Sequence, residues 1–570
     1  MKAIKSEEPQ MAAEGRRQHQ RQPRISADET RIRPQQNLVV DFAVSASIRA
    51  NPRPPLLTLS LLLFAVGSAQ PAFAQEPRGK TIYDKWCAEC HGATGAGDGA
   101  AQAYMLPRPR DFTKGVYQIR TTASGELPTD ADIRRVIDDG MPGTAMPGWR
   151  EKLTDGERND VLTYIKSFSQ FFSGAAPTAI SVGNAPGSSA EGIAEGRETY
   201  QKLECFKCHG QAGRGDGTSA PTLTDDWEQP IFPADLRASW RFNGGSTVEE
   251  IYTRLRTGLD GTPMPSFSDV IDSKIITDEQ LWRVAQYVRS LSPDEPPQVR
   301  EVVRAYRVDG ALPRGPDDTT WARAEAFYIP LVGQIIVKPR WFAPAVEGVW
   351  VQAMHDGTSL AIRVTWGDRS RSPDPSWDEW LGRIRQAMPD VDGAIASTQG
   401  PDILVVQFPT TSGEAEPPYF LGGSARRPAH MWRWSSTPDA VAAGTATGLG
   451  KFTAETGASG LTHAARFVDG EWQVQMTRAL VPADTTRAPA LVAGRAIPIA
   501  FFAADGSNGE DAVRGAVSGW YSIYLDVPTP ASVYVTPGLT MLLTAGLGFM
   551  FVRQAQRRDR SAGRSHPEER

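Results

Sequence analysis

The spacing of hydrophobic positions changes character along the chain, and the changes divide it. Val161-Leu162-Thr163-Tyr164-Ile165 and Val284-Ala285-Gln286-Tyr287-Val288 carry apolar side chains at helical spacing, which predicts an amphipathic helix at each place. Beyond Pro297 the period falls to two. Val349-Trp350-Val351-Gln352-Ala353-Met354-His355, then Asp356-Gly357, then residues 359–366 predict a hairpin about an Asp-Gly turn. Phe467-Val468, Asp469-Gly470 and Trp472-Gln473-Val474 repeat that signal, and residues 403–408, 497–502 and 521–525 read as further strands. Two runs, 56–67 and 527–552, are apolar without a period.

The first of these runs, LLTLSLLLFAVG, follows Arg49 and Arg53 and precedes Ala72-Phe73-Ala74, a small-residue cleavage pattern. A signal peptide at 55–74 cut before Gln75 is expected, with an N-terminal anchor as the alternative. Residues 1–54 are Arg/Gln-rich and aperiodic, and read as a disordered or mis-started extension. The second run has the ~20 residues that cross a bilayer, and Arg553, Arg557, Arg558, Arg560 and Arg564 follow it. It predicts a transmembrane helix at 529–552 with a cytoplasmic basic tail at 553–570. At 570 residues, with 40% hydrophobic and 22% charged, the chain has the composition of several globular domains. A formal charge of -5 gives no basic field, so no nucleic-acid partner is expected.

All 4 cysteines fall in two strings, Cys87-Ala88-Glu89-Cys90-His91 and Cys205-Phe206-Lys207-Cys208-His209. C-x-x-C-H is the spacing of c-type haem attachment. Two thiols three positions apart on one helical turn reach the two vinyl groups of one haem, and the adjacent histidine falls beneath the iron. A thioredoxin-like pair does not need that histidine, and a zinc site wants a second C-x-x-C or H-x-x-H nearby. The surroundings repeat too: Gly95, Gly97, Asp98 and Gly99 match Gly213, Gly215, Asp216 and Gly217. Thioether ligation on the far side of such an iron raises its potential and suits electron transfer. Met146 and Met264 are the candidates, each 55 residues after its histidine in a Gly/Pro-rich loop. The same 118 residues separate Cys87 from Cys205 and Met146 from Met264, the mark of a duplication. Met141 is a rival in the first repeat, but Leu259 stands at its counterpart.

With these residues the two repeats, 75–173 and 191–294, resemble class I cytochrome c domains joined by a Gly/Ala/Pro/Ser linker at 174–190. The resemblance implies one haem c in each, wrapped by a few helices, with His91 and Met146, and His209 and Met264, on the irons. It also implies outer-sphere electron transfer with no bound substrate. Arg108 and Arg110, in Leu106-Pro107-Arg108-Pro109-Arg110-Asp111-Phe112, are candidate propionate contacts, with solvated surface arginines as the alternative.

Residues 295–528 are expected to form an all-β sandwich. Pro330-Leu331-Val332-Gly333-Gln334, the hairpin from Trp350, Val406-Gln407-Phe408-Pro409, Pro418-Tyr419-Phe420-Leu421-Gly422, Trp432-Arg433-Trp434 and Asp505-Gly506-Ser507-Asn508 resemble the haem-binding γ subunit of the ethylbenzene dehydrogenase group, type II members of the DMSO reductase family. That resemblance implies a non-covalent haem b held by methionine and lysine, with an iron–sulfur subunit and a molybdopterin catalytic subunit as partners. Here the methionine position holds Leu421, with Met431 the nearest substitute. The loop at 505–518 has no lysine, and Lys451 is the last in the chain. A docking module is therefore expected, with a third, non-covalent haem b as the alternative.

The fold class is multidomain α plus β: two all-α cytochrome c domains, an all-β sandwich and a C-terminal transmembrane helix. The expected protein is a dihaem electron carrier on the periplasmic side of the bacterial inner membrane. It would serve a molybdopterin oxidoreductase of the nitrate, nitrite, chlorate, selenate or hydrocarbon type, and meet other periplasmic cytochromes or membrane redox partners. A dihaem peroxidase, which needs an open distal position, and an extracytoplasmic ligand-binding module with redox-reporting haems are the rivals.

Overall fold

The computed structural model describes residues 76–388, 392–411, 416–457, 459–485, 488–528 and 530–562. The predicted extension and signal peptide, and the end of the basic tail, lie outside the described residues. The N-terminal half is helical and built twice. In the first repeat α1 (Arg78–Trp86), the short α2 (Ala88–His91), α3 (Asp130–Asp139) and α4 (Asp155–Ser167) follow one another. The second has α5 (Ala190–Lys202), α6 (Phe206–His209), α7 (Val248–Thr257), α8 (Ser268–Asp272) and α9 (Asp278–Ser290).

Local sequence sets these limits. Thr129 with Asp132, Thr154 with Glu157, Thr247 with Glu250 and Thr277 with Gln280 form capping boxes that start α3, α4, α7 and α9. Gly140 and Gly258 end α3 and α7 at φ of 72° and 66°, which glycine adopts without strain. The terminal helices of each repeat cross backbone to backbone. A Cβ on Gly79 would lie 2.1 Å from the Asp160 carbonyl oxygen, and one on Gly196 would lie 2.0 Å from that of Arg283. The linker is tied down along both repeats. Ile180 N–H donates to the Thr121 carbonyl (2.8 Å), and the Pro186 and Gly187 carbonyls accept from Gln286 and Arg283.

The C-terminal half is a large β region. Its strands are β1 (Val302–Arg307), β2 (Phe327–Pro330), β3 (Val332–Gly333), β4 (Gly348–His355), β5 (Ser359–Gly367), β6 (Ile403–Pro409) and β7 (Ala429–Ser436). They continue with β8 (Asp439–Ala446), β9 (Phe452–Ala454), β10 (Thr462–Val468), β11 (Glu471–Ala479), β12 (Ala496–Ala504), β13 (Ala516–Val517) and β14 (Tyr521–Leu525). The strand order is β10-β11-β5-β4-β1-β14-β12-β6-β7-β8-β9. Strand β12 changes sides, with Ala496–Ile499 on β14 and Ala500–Ala504 on β6, so the two ends of the order face each other over one core. Val303, Ile362, Trp366 and Val474 from one side meet Leu404, Val406, Trp432 and Trp434 from the other, all nearly inaccessible to solvent. The Asp469-Gly470 turn has φ of 49° and 66°, the positive pair that a two-residue hairpin of this twist requires.

Two features depart from the sequence reading. The β region contains a helix, α10 (Asp378–Ala387), which buries Trp380, Leu381 and Ile384 on one face. The apolar C-terminal helix, α11 (Ser532–Ala562), runs ten residues past Val552 and carries Arg553, Arg557, Arg558 and Arg560 as helix rather than tail. It is long and apolar enough to cross a membrane, and its apolar stretch is unburied.

Candidate haem-binding sites

Each Cys-x-x-Cys-His string forms one tight helical turn. His91 N–H donates to the Cys87 carbonyl and His209 N–H to the Cys205 carbonyl, both at 2.9 Å, so thiols and imidazole share a face. The turns are fixed from outside in the same way: the buried Tyr83 and Tyr200 hydroxyls donate to the Gly92 and Gly210 carbonyls at 2.8 Å. All four cysteines are free thiols. Burial pushes Cys87 and Cys205 up to about 12, so they stay protonated at neutral pH.

The histidines are oriented by carbonyls. His91 Nδ1 lies 3.0 Å from the Arg110 carbonyl and His209 Nδ1 lies 3.0 Å from that of Ala234. A carbonyl only accepts, so Nδ1 carries the proton and Nε2 keeps the lone pair that a metal takes. Burial lowers both imidazole pKa values, which favours that neutral form. His209 is half-buried, and it lines a cavity.

The methionine loops superpose bond for bond. Met141 N–H donates to the Met146 carbonyl at 3.0 Å and Leu259 N–H to that of Met264 at 3.1 Å. The Thr144 and Thr262 hydroxyls donate to the residue 141 and 259 carbonyls and accept from the Met146 and Met264 amides. Met146 and Met264 thus hold one structural position, and Met141 and Leu259 another.

The surroundings of the two turns differ. His91 stacks on Phe112 at 4.5 Å between ring centroids, inside an aromatic cluster with Tyr83, Tyr117 and Phe168. The second turn opens into a cavity of about 1910 Å³ lined by Cys205, Cys208, His209 and Met264, and by Tyr328, Trp350 and Arg369 of the β region. That volume holds a cofactor of haem size with space to spare. Buried polar atoms without a partner also fit a carboxylate-bearing group: Tyr117 Oη and Trp149 Nε1 in the first repeat, and Arg254 Nε and Nη1 beside the second cavity.

The two arginines singled out from sequence part company. Arg108 spends its donors on protein: the Gln102 carbonyl (2.5 Å), the Gln229 side chain (3.3 Å) and the Ala387 carbonyl at the end of α10. Arg110 turns its guanidinium into the second repeat, over Trp227. Sequence reading missed Arg254 and Arg241; Arg254 shows when the repeats are aligned, since Val136 holds its place in the first.

A third site does not fit. Leu421, Met431, Val405, Phe502 and Val517 pack into one apolar cluster around about 50 Å³ of free space, far below the 300 Å³ or more of a small-molecule pocket. In the loop that lacks lysine, Glu510 accepts from Trp341 Nε1 (3.1 Å) and Asn508 accepts from Trp380 Nε1 (3.0 Å), a structural network rather than a ligand face.

The family model described as Cytochrome c matches residues 77–169, and that described as Cytochrome C oxidase, cbb3-type, subunit III matches 191–288. Cytochrome c55X of Paracoccus denitrificans is 32% identical over 110 residues, which is 89% of its length and 19% of this chain. The chain belongs to the c-type cytochromes. As a c-type cytochrome it carries covalent haem c at its C-x-x-C-H sites and transfers electrons, and it joins this region to a further β-rich one. ORF7 of Haloferax mediterranei, named as a respiratory nitrate reductase heme subunit, is 24% identical to this cytochrome over 212 residues, 37% of this chain and 67% of the relative. Among solved structures, a chain of the reducing HAO-like protein complex of Kuenenia stuttgartiensis is 44% identical, covering 38% of this chain and 96% of that one at a TM-score of 0.36.

Proposed function

We propose that the protein is a membrane-anchored dihaem cytochrome c that carries electrons as a subunit or partner of a respiratory oxidoreductase, on the periplasmic side of the bacterial inner membrane. One observation carries the reading: the Cys-x-x-Cys-His turn, its histidine–carbonyl bond at 3.0 Å and the hydrogen-bonded methionine loop all occur twice. In this reading Cys87 with Cys90, and Cys205 with Cys208, bear the thioethers of two haems c. His91 and Met146 face one iron, and His209 and Met264 the other. Haem iron supplies a one-electron Fe(III)/Fe(II) couple. The chain's own residues do the rest: the Arg110 and Ala234 carbonyls orient the imidazoles, Thr144 and Thr262 hold the methionine loops, and the aromatic cluster keeps water from the first site.

The domain limits given above, with the anchor beginning near 529, belong to this reading. The arginines on the last turns of α11 support a cytoplasmic end. The β region resembles the γ subunit in its motifs and, with its would-be haem b site filled by side chains, acts as a docking module. An iron–sulfur subunit and a molybdopterin catalytic subunit are the proposed partners, and the nitrate reductase name of one relative agrees in kind. A pyridine haemochrome assay on the matured protein, with acid–acetone extraction, tests the reading. Two covalent haems and none extractable are expected; an extractable haem or a single covalent one would refute it.

A further inference from the structure

The loop of Met264 is gripped by the first repeat at a residue that the loop of Met146 lacks. Asp260 stands between Leu259 and Thr262, whose hydrogen bonds to Met264 and to each other shape the turn. Its carboxylate accepts from Arg120 (2.7 Å), the Ser124 hydroxyl (3.0 Å) and the Gly125 amide (2.8 Å). Arg120 also donates to the Thr257 carbonyl (2.6 Å), at the end of α7 where this loop begins. That arginine is fully buried, and its other donors go to the Tyr117 and Ala123 carbonyls (both 3.1 Å), so its guanidinium is fixed to the first repeat. The next residue, Thr121, ties the segment to α3 by an amide bond to Asp132 (3.0 Å).

The first loop is not held in this way. Pro142, 118 residues before Asp260, stands at its counterpart and offers no carboxylate. Arg241 of the second repeat lies beside Gly143, 3.1 Å from where a Cβ would stand, but it is paired with Glu347 of the β region. The difference bears on ligation. A methionine on a loop meets its iron as an intramolecular ligand, and its occupancy follows how closely the loop is held in place. Without Asp260 the buried guanidinium of Arg120 loses its carboxylate partner, a cost that the two segments relieve by parting.

We propose that Asp260 is a positioning residue for the second redox centre: through Arg120, Ser124 and Gly125 the first repeat holds the loop that keeps Met264 on the iron carried by His209. This rests on the dihaem reading. The sixth ligand of the second iron then depends on contact between the repeats, and that of the first does not.

The test is carbon monoxide binding to the ferrous form, with the methionine-to-iron charge-transfer band of the ferric form, in the full haem-loaded chain and its Asp260→Ala and Asp260→Asn variants. Asp260→Ala is expected to open half of the haem to carbon monoxide and to halve the band. It should also lower one of the two reduction waves, since the thioether holds the potential up. Asp260→Asn, which keeps an acceptor for Arg120, should open a smaller, measurable fraction. In a Cys87→Ala/Cys90→Ala background all of the remaining haem should respond to Asp260→Ala, and in a Cys205→Ala/Cys208→Ala background none. A purely structural role would lower the melting temperature without opening an iron. Either variant holding two haems and refusing carbon monoxide at both would overturn the inference, as would opening of the first site. Fewer than two covalent haems in the parent protein, or a parent that already binds carbon monoxide, would overturn the dihaem reading on which it rests.

Discussion

The two repeats share a frame down to single hydrogen bonds, yet the first encloses its histidine with its own rings and the second borrows its walls. Phe112, Tyr83, Tyr117 and Phe168 close the first site from within. The second cavity is finished by Tyr328, Trp350 and Arg369 of the β region and by residues of the first repeat. Arg369 lies 3.7 Å from the centroid of Phe232, and Trp380 of α10 stacks on the same ring at 3.9 Å. Duplication fixed the Cys-x-x-Cys-His turns and the methionine loops. Divergence changed what surrounds them, and surroundings set potential.

The comparison breaks most directly by emptying one site at a time. Cys87→Ala/Cys90→Ala and Cys205→Ala/Cys208→Ala should each remove half of the covalent haem, read by haemochrome absorbance. Only the second pair should also lower the melting temperature of the β region, because only that site shares walls with it. Equal effects of the two pairs on β-region melting would erase the distinction drawn here.

Next in size is the clamp between the repeats. Arg120 is fully buried and reaches the Thr257 carbonyl (2.6 Å) and Asp260 (2.7 Å) in the second methionine loop, while Asp260 also accepts from Ser124 and the Gly125 amide. Asp260→Ala leaves that guanidinium without its carboxylate and should cost about 3–5 kcal/mol by denaturant unfolding. Pro142 holds the corresponding place in the first loop, and Pro142→Ala should cost far less.

The β region has a chemistry that neither repeat shares. Asp368, Asp402 and Asp505 are buried with carboxylate oxygens within 4.8 Å of one another. Burial, then the neighbouring Asp505, pushes Asp402 up to about 8, and burial also raises Asp368 and Asp505. Acids of this kind bind more protons folded than unfolded. The stability they contribute is full below about pH 4 and is lost as pH climbs towards 8. The β-region melting temperature should therefore fall across that window, about 2–4 °C for each kcal/mol, and Asp368→Asn should flatten the slope. A melting temperature that rises with pH would contradict the assignment.

The smallest effects sharpen the pairing of loops. Met141→Leu, which copies Leu259, should change stability by less than about 1.5 kcal/mol and leave both waves unmoved. Glu347→Gln frees Arg241 from its counter-charge and should raise the first wave slightly.

The chemistry was legible because it is local. Cysteines, histidine and the Met-Pro turn lie within a few residues of what they need, and the register of the duplication ties the two sets together. The cross-connections were not legible. An arginine bound to a distant carbonyl, as Arg108 is to that of Ala387, has the same local sequence as one in solvent. Helix α10 was hidden among strands because only three of its ten residues are buried. The shared second cavity depends on contacts between segments more than a hundred residues apart.

The central claim is that two irons with one ligand set work as separate one-electron carriers. Potentiometric titration of the haem-loaded chain, followed in the visible spectrum under carbon monoxide and under argon, tests it most directly. The account predicts two one-electron waves of unequal potential, neither altered by carbon monoxide because a methionine closes each iron. A single wave, or a ferrous site that binds carbon monoxide, would contradict it.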